Sequence, residues 1–370
     1  MAAFPQQLDD TSRRQVAVWL TICCAMIFAM VILGGVTRLT DSGLSMVEWD
    51  PIFGAVPPLS QQDWETVFAK YRESPEYQKI NVGMDLAGFK SIYWFEFSHR
   101  VLGRSIGTVF LLPFLYFLWR RQLTPKLIPK LAFAFVLGGL QGLLGWYMVK
   151  SGLVDKPDVS QYRLTAHLGL ALVIYAYLLW ILFGLILKKS TQATPLATRW
   201  IAGFLLALIA ITISSGGFVA GLKAGHAYNT FPLMGDQWLP PAGWMLEPGW
   251  RNLFENIATV QFVHRVLATT TFLAILVFWL KLLRQTLPRP AVTAAHLLMH
   301  GCCAGRTGHQ YATATRACTI GRHPSGRCAG AANPGSAGLL PPAGRRDKKK
   351  PGIKPGFRYL GFRRTYFRLE

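Results

Sequence analysis

The sequence predicts an all-α integral membrane protein built from two related halves, and three observations carry that prediction. Of the 370 residues 51% are hydrophobic and only 15% charged, and the apolar ones gather into blocks long enough to cross a bilayer as helices. Two blocks open on near copies of one heptapeptide, Glu96-Phe97-Ser98-His99-Arg100-Val101-Leu102 and Gln261-Phe262-Val263-His264-Arg265-Val266-Leu267. Lysine and arginine then fall in alternate loops, as membrane topology requires.

The clear blocks are 16–36, 92–119, 131–149, 164–187, 200–222 and 258–283. The segment before the first carries Asp9 and Asp10, and no cleavage site follows the block, so it is expected to stay as an anchor. Basic residues flank the blocks on one side: Arg13 and Arg14, then Arg120, Arg121, Lys126 and Lys130, then Lys188, Lys189 and Arg199, then Lys281, Arg284 and Arg289. These loops are expected inside with the N-terminus, which leaves 37–91 and 223–256 on the outer face. Both outer segments are rich in Trp, Pro and Gly and suit short interfacial helices and lids. The net charge of +21 is no nucleic-acid signal, because residues 301–370 hold 14 Lys and Arg against Asp347 and Glu370. Cys23 and Cys24 sit inside the first block and read as packing residues, and the outer segments contain no cysteine for redox work.

The repeat extends beyond the heptapeptide. Gly34-Gly35-Val36-Thr37-Arg38-Leu39 at the end of the first block is answered by Gly216-Gly217-Phe218-Val219-Ala220-Gly221 at the end of the fifth. Four spans per unit give both units the same orientation, a parallel repeat. The third block holds Leu140-Gln141-Gly142-Leu143-Leu144-Gly145, small residues among them that let helices approach closely.

His99 and His264 enter the membrane at equivalent places. An imidazole in hydrocarbon is costly unless it is used or bonded to a neighbouring helix, and its return at a matched position favours use. A third histidine, His167, opens the fourth block in Leu164-Thr165-Ala166-His167-Leu168-Gly169. With the second and fourth spans as antiparallel neighbours in a four-helix bundle, His99 and His167 are expected to face each other at one depth. That is a bis-histidine haem site. Arg100 and Arg265, beside the histidines, are candidates for haem propionates and equally for lipid headgroups.

Four stretches resemble the haem A synthase family in its alphaproteobacterial and mitochondrial form: G-G-V-T-R-L-T-D-S-G-L-S-M-V-E-W, Y-W-F-E-F-S-H-R-V-L-G-R, A-G-H-A-Y-N-T-F-P-L-M-G-D and V-Q-F-V-H-R-V-L-A. The resemblance covers residues 16–283. It implies two pseudo-symmetric four-helix bundles, 1–190 for the substrate haem O and 191–299 for a cofactor haem b. The implied reaction oxidises a ring methyl of haem O to the formyl of haem A for terminal oxidase assembly. It also implies His99 and His167 as substrate-haem ligands, Glu96 as the catalytic glutamate and His264 as the first axial ligand of the haem b iron. A bacterial inner membrane, and haem O synthase and cytochrome oxidase assembly factors as partners, go with the same resemblance, and the basic loops make the N-terminus cytoplasmic. Membrane lipid is a further partner, nucleic acid is not one, a homo-oligomer is compatible, and the electron acceptor stays unspecified.

The residues supply a reason to tell the halves apart. Three positions before each histidine stands Glu96 in one half and Gln261 in the other, on the ligand's helical face. Only the carboxylate can take up a proton or stabilise positive charge beside an oxidised methyl. The plainer reading is an ion pair between Glu96 and Arg100, four residues on. A dihaem electron carrier is the rival function, and it has no need of the asymmetry. A solute transporter suits paired histidines with few other charges less well.

From about residue 300 the pattern breaks. A seventh span begins at Ala294-Ala295-His296-Leu297, but 300–370 is rich in Arg, Gly and Pro and cannot span a bilayer. Back-translating 307–329 with free synonymous codons and reading one base downstream permits L-G-I-S-T-L-L-L-H-V-P-V-L-L-A-A-I-H-Q-A-G-A-L, which resembles the family's missing spans. The tail is therefore expected to be out of frame, with the partner of His264 lost and the second bundle truncated. On that reading His296, His300, His309 and His323 are not ligands. A basic tail acting on the anionic inner leaflet is the alternative.

Overall fold

The computed structural model describes residues 4–48, 54, 56–152, 158–187 and 194–284. The chain divides into two units, 1–305 and 306–370, and every described residue belongs to the first. The expected seventh span, the basic tail, and His296, His300, His309 and His323 lie outside the described residues.

Among the described residues the helices are α1 (Asp10–Leu39), α2 (Gln61–Arg72), α3 (Pro75–Lys79), α4 (Leu86–Trp119), α5 (Ile128–Gly152), α6 (Gln161–Ile186), α7 (Leu196–Gly221), α8 (Asn252–Glu255) and α9 (Ile257–Leu283). Six of them, α1, α4, α5, α6, α7 and α9, are long and apolar enough to cross a membrane, one for each block expected. The protein is a multi-pass, all-α membrane protein. Local chemistry fixes the helix starts: the Asp9 carboxylate accepts from the Ser12 amide at 2.6 Å, and that of Asp85 from the Gly88 amide at 2.8 Å.

In the first half, α1 packs on α4 and α6, and α5 packs on the same two helices. These four contacts close a ring. Successive spans reverse direction, so α4 and α6 stand on a diagonal of the bundle and run the same way. The expectation of antiparallel neighbours is therefore corrected. The second and fourth spans must run the same way, so they cannot be antiparallel, and the contacts seat them across the bundle from each other. The diagonal still directs both helices at one bundle interior.

The core fills only one end of that interior. It gathers Val16, Leu20 and Cys23 of α1, Phe110 and Phe114 of α4, and Leu131, Ile174 and Leu178 from α5 and α6. Cys23 and Cys24 are buried there as packing residues. Towards the other end no residue is buried in 28–36 of α1, 98–109 of α4, 135–151 of α5 or 161–173 of α6. For α1 alone that stretch is about 13 Å of helix rise. His99 and His167 lie at this level.

Above it, the segment between α1 and α4 folds back as α2 and α3. An aromatic cluster holds the segment down, with Trp64, Tyr71, Phe89, Tyr93 and Phe97 buried and the Trp64 and Tyr93 rings 5.0 Å apart and edge-on. The short helices expected in this outer segment are present.

The halves join where α6 packs on α7. Two glycines make the approach: a Cβ on Gly217 would lie 2.8 Å from Thr165 Oγ1, and one on Gly221 would lie 2.5 Å from Gln161 Cα. Arg38 reaches across from α1, its Nε donating to the Ala220 carbonyl at 2.9 Å and its Nη2 to that of Gly221 at 3.1 Å. Asp41 and Lys223, equivalent positions of the repeat, meet in an ion pair at 2.9 Å. Gly221→Val is expected to cost about 1–3 kcal/mol by overpacking this seam, read as a lower midpoint in thermal unfolding of the detergent-solubilised protein.

Candidate functional site

Each of the three described intramembrane histidines lies against a glycine of the next helix. A Cβ on Gly34 would sit 3.1 Å from His99 Cε1, one on Gly145 2.9 Å from His167 Cε1, and one on Gly216 3.2 Å from His264 Cε1. Gly34 and Gly216 are equivalent in the repeat, so α1 supports His99 as α7 supports His264. The shelf leaves each ring room that any larger residue would take.

The imidazoles differ in their partners. The Nδ1 atoms of His99 and His167 are buried and have no hydrogen-bond partner, an arrangement that is expensive unless a ligand uses the ring. In the second half Ser215 Oγ stands 2.8 Å from His264 Nδ1, a bond that orients the ring. Gln141 Nε2 donates to the His167 carbonyl at 3.0 Å and lies 3.4 Å from His167 Nε2, while Gln141 Oε1 is buried without a partner. Gln141 and Gly145, one turn apart on α5, thus form a wall for His167. Sequence reading took this stretch only as a helix-packing motif. The four-residue spacing, which puts both on one face, was the available signal.

Glu96 is 3% exposed and its carboxylate is fully engaged. Oε1 accepts from Arg100 Nη2 at 2.5 Å, and Oε2 accepts from Ser45 Oγ at 2.7 Å and the Met46 amide at 2.8 Å. The ion pair weighed from sequence is therefore present, and Ser45 and Met46 are partners that sequence reasoning missed. Arg100 also donates to the carbonyls of Met46 at 2.9 Å and Glu48 at 3.0 Å. Gln261 repeats the arrangement with an amide, accepting from the Tyr228 amide at 3.1 Å and donating to the Tyr228 carbonyl at 2.9 Å. Arg265 donates to the carbonyls of Tyr228 at 2.5 Å and Leu233 at 2.9 Å. Both arginines, read from sequence as propionate or headgroup contacts, hold outer-segment carbonyls here. Those carbonyls come from segments that fold back over the helices, which the local sequence does not disclose.

Beside this cluster a second carboxyl, Glu76 of α3, is 4% exposed, and its Oε2 has no hydrogen-bond partner. Burial, then the nearby charges of Glu96 and Asp41, push it up to about 8. Its proton affinity is raised on folding, so it favours the folded state at low pH, and that contribution is lost as pH climbs from the ordinary glutamate range through 8. Glu76→Gln is expected to flatten the fall in thermal midpoint between pH 6 and pH 9, measured on the purified protein (the pH limits bracket about 8).

The site residues fit a haem by two tests of this structure: orphaned ring nitrogens of paired histidines on diagonal helices, and glycine shelves that a Cβ would fill. Comparison with known proteins agrees. Residues 17–308 match the model of the COX15-CtaA family, described as cytochrome oxidase assembly protein. A protein named Heme A synthase from Nitrosospira multiformis is 52% identical over 303 residues, covering 80% of this chain and 85% of that relative. Proteins of the same name from Nitrosomonas eutropha and Rhodospirillum centenum are each 52% identical, over 288 and 280 residues, covering 77% and 74% of this chain and 81% and 74% of those relatives. No solved structure matches. By its sequence over most of its length, and with its repeated histidine-bearing helices in place, the chain belongs to the COX15-CtaA family of cytochrome oxidase assembly proteins.

Proposed function

We propose that the protein is a haem A synthase of a bacterial inner membrane, its N-terminus cytoplasmic, oxidising a ring methyl of the substrate haem O to the formyl of haem A. The observation that carries the reading is the placement of His99 and His167 on diagonal helices of one bundle, at the level where its helices bury no side chain. His99 and His167 hold the substrate iron from opposite helices. His264, its ring oriented by Ser215, would hold haem b in the second half. Haem b supplies a one-electron acceptor when bound.

Glu96 acts within the first half. It lies on the same helical face as His99, one turn away, and sets a carboxyl at a buried place where the equivalent Gln261 has an amide. Arg100, Ser45 and the Met46 amide fix the carboxylate and exclude water from it. The dihaem carrier is the weaker reading because it leaves this asymmetry without a use. Haem O synthase and oxidase assembly factors are proposed as partners in delivery and hand-over.

The test is pigment extraction from cells expressing the protein, in the version with the downstream frame restored, beside Glu96→Gln. Glu96→Gln is expected to retain haem and lower haem A formation about 10²–10⁴-fold, the usual contribution of a positioned acid or base. An unchanged haem A yield would remove Glu96 from the reaction, and absence of haem A in the parent would remove the synthase reading.

A further inference from the structure

At the end of the first bundle remote from the histidines, a cavity of about 1220 Å³ opens between the start of α1, the end of α6 and the α4–α5 connection. The proposed reaction makes no use of it. Its mouth is lined by four cations, Arg13 and Arg14 from α1 and Lys126 and Lys130 from the connection and the start of α5. The acid there, Asp10, is spent on Arg13 at 2.7 Å and stands 91% exposed. Among the described residues no carboxylate pairs with Arg14, Lys126 or Lys130. Lys130 is steadied instead over the Trp180 ring, 4.8 Å from its centroid.

Below the cations the walls turn apolar, with Ala17, Val18, Ile181 and Leu185 lining the slot. Val18 is 53% and Trp180 59% exposed on helices that cross the membrane, so the slot is continuous with the hydrocarbon-facing surface. A soluble anion would satisfy the mouth and leave the slot unused. An acidic peptide would bring polar backbone against apolar walls. An anionic head joined to hydrocarbon chains satisfies both parts at once, and basic pockets between membrane helices take such lipids.

We propose that this cavity binds an anionic glycerophospholipid, its phosphate among Arg14, Lys126 and Lys130 and an acyl chain along the α1–α6 slot. The proposal is independent of the haem chemistry. It is tested on the full chain purified in a neutral detergent, stripped of lipid, and titrated with phosphatidylglycerol, phosphatidylcholine or inorganic phosphate. Thermal unfolding and native mass spectrometry are the readouts. Phosphatidylglycerol is expected to raise the midpoint and be retained in the spectrum, with phosphatidylcholine and phosphate doing neither. Replacing the three cations together, Arg14→Gln, Lys126→Gln and Lys130→Gln, is expected to weaken phosphatidylglycerol binding at least about tenfold. If that variant does not fold, Val18→Trp, which closes the slot and keeps every charge, decides by the same titration and is expected to abolish retention. Equal binding of phosphatidylcholine, equal protection by phosphate alone, or full phosphatidylglycerol binding by the variants overturns the proposal.

Discussion

His99→Ala is expected to empty the first half of haem while leaving the second half spectrally intact. Two imidazoles on diagonal helices are needed for a six-coordinate, low-spin iron, and removing either leaves at most one strong ligand. His167→Ala should behave alike, because the ring it removes comes from the opposite corner of the same four-helix ring. The effect belongs to ligation and not to folding: neither ring belongs to the packed core, which sits at the other end of the bundle. Gly145→Val makes a useful companion. Its side chain would enter the space of His167 Cε1, 2.9 Å from the glycine's would-be Cβ, and is expected to reproduce much of the loss with both histidines present. Optical spectra of the purified variants in the frame-restored background, where His264 and its partner give an internal reference, decide the matter. Loss of all haem from His99→Ala would mean that the halves share one site.

Restoring the reading frame from about codon 300 is expected to have the other large effect. We propose that the chain as written keeps a competent first half but binds no cofactor haem. His264 and Ser215 meet in the second half, and the composition of 300–370, rich in Arg, Gly and Pro, is read from sequence as unable to supply a further span with an opposing histidine. One imidazole does not hold a low-spin haem, so the expected change on restoration is from undetectable to stoichiometric haem b, with haem A formation following. Expression of the two versions side by side, with haem b quantified by pyridine extraction, is the measurement. Equal haem b and haem A from both would establish the basic tail as a working part of the protein.

How far the sequence foretold all this depends on what kind of information each feature needs. The six spans were legible because hydrophobic length is a local property, and the histidines because a duplicated motif marks positions irrespective of packing. The asymmetry of Glu96 and Gln261 was equally visible, since it needs only an alignment of the chain with itself. The diagonal placement of α4 and α6 was not, because span order fixes direction but leaves open which helices of a bundle touch. Nor were the partners of Arg100 and Arg265, whose carbonyls come from residues 46–48 and 228–233, brought back by long outer segments. The glycine shelves show the same limit. Gly34 and Gly216 were seen as a repeat, but their purpose appears only when the neighbouring helix lays an imidazole on them. Glu76 gave no signal in sequence, because a lone carboxyl in a polar segment looks solvated until the aromatic cluster closes over it.

The hold of Arg38 on Ala220 and Gly221 bears on the order in which the molecule is assembled during synthesis. The two ends of that contact are 182 residues apart along the chain, which at 5–20 residues per second is about ten to forty seconds of translation. For that interval Arg38 is without the carbonyls it finally holds, and the outer end of the first half lacks its brace. The earlier half is thus whole in sequence before the contact that braces its outer end can form. Slowing translation between codons 190 and 220 would lengthen that period, and a nascent chain arrested before residue 220 would remain in it.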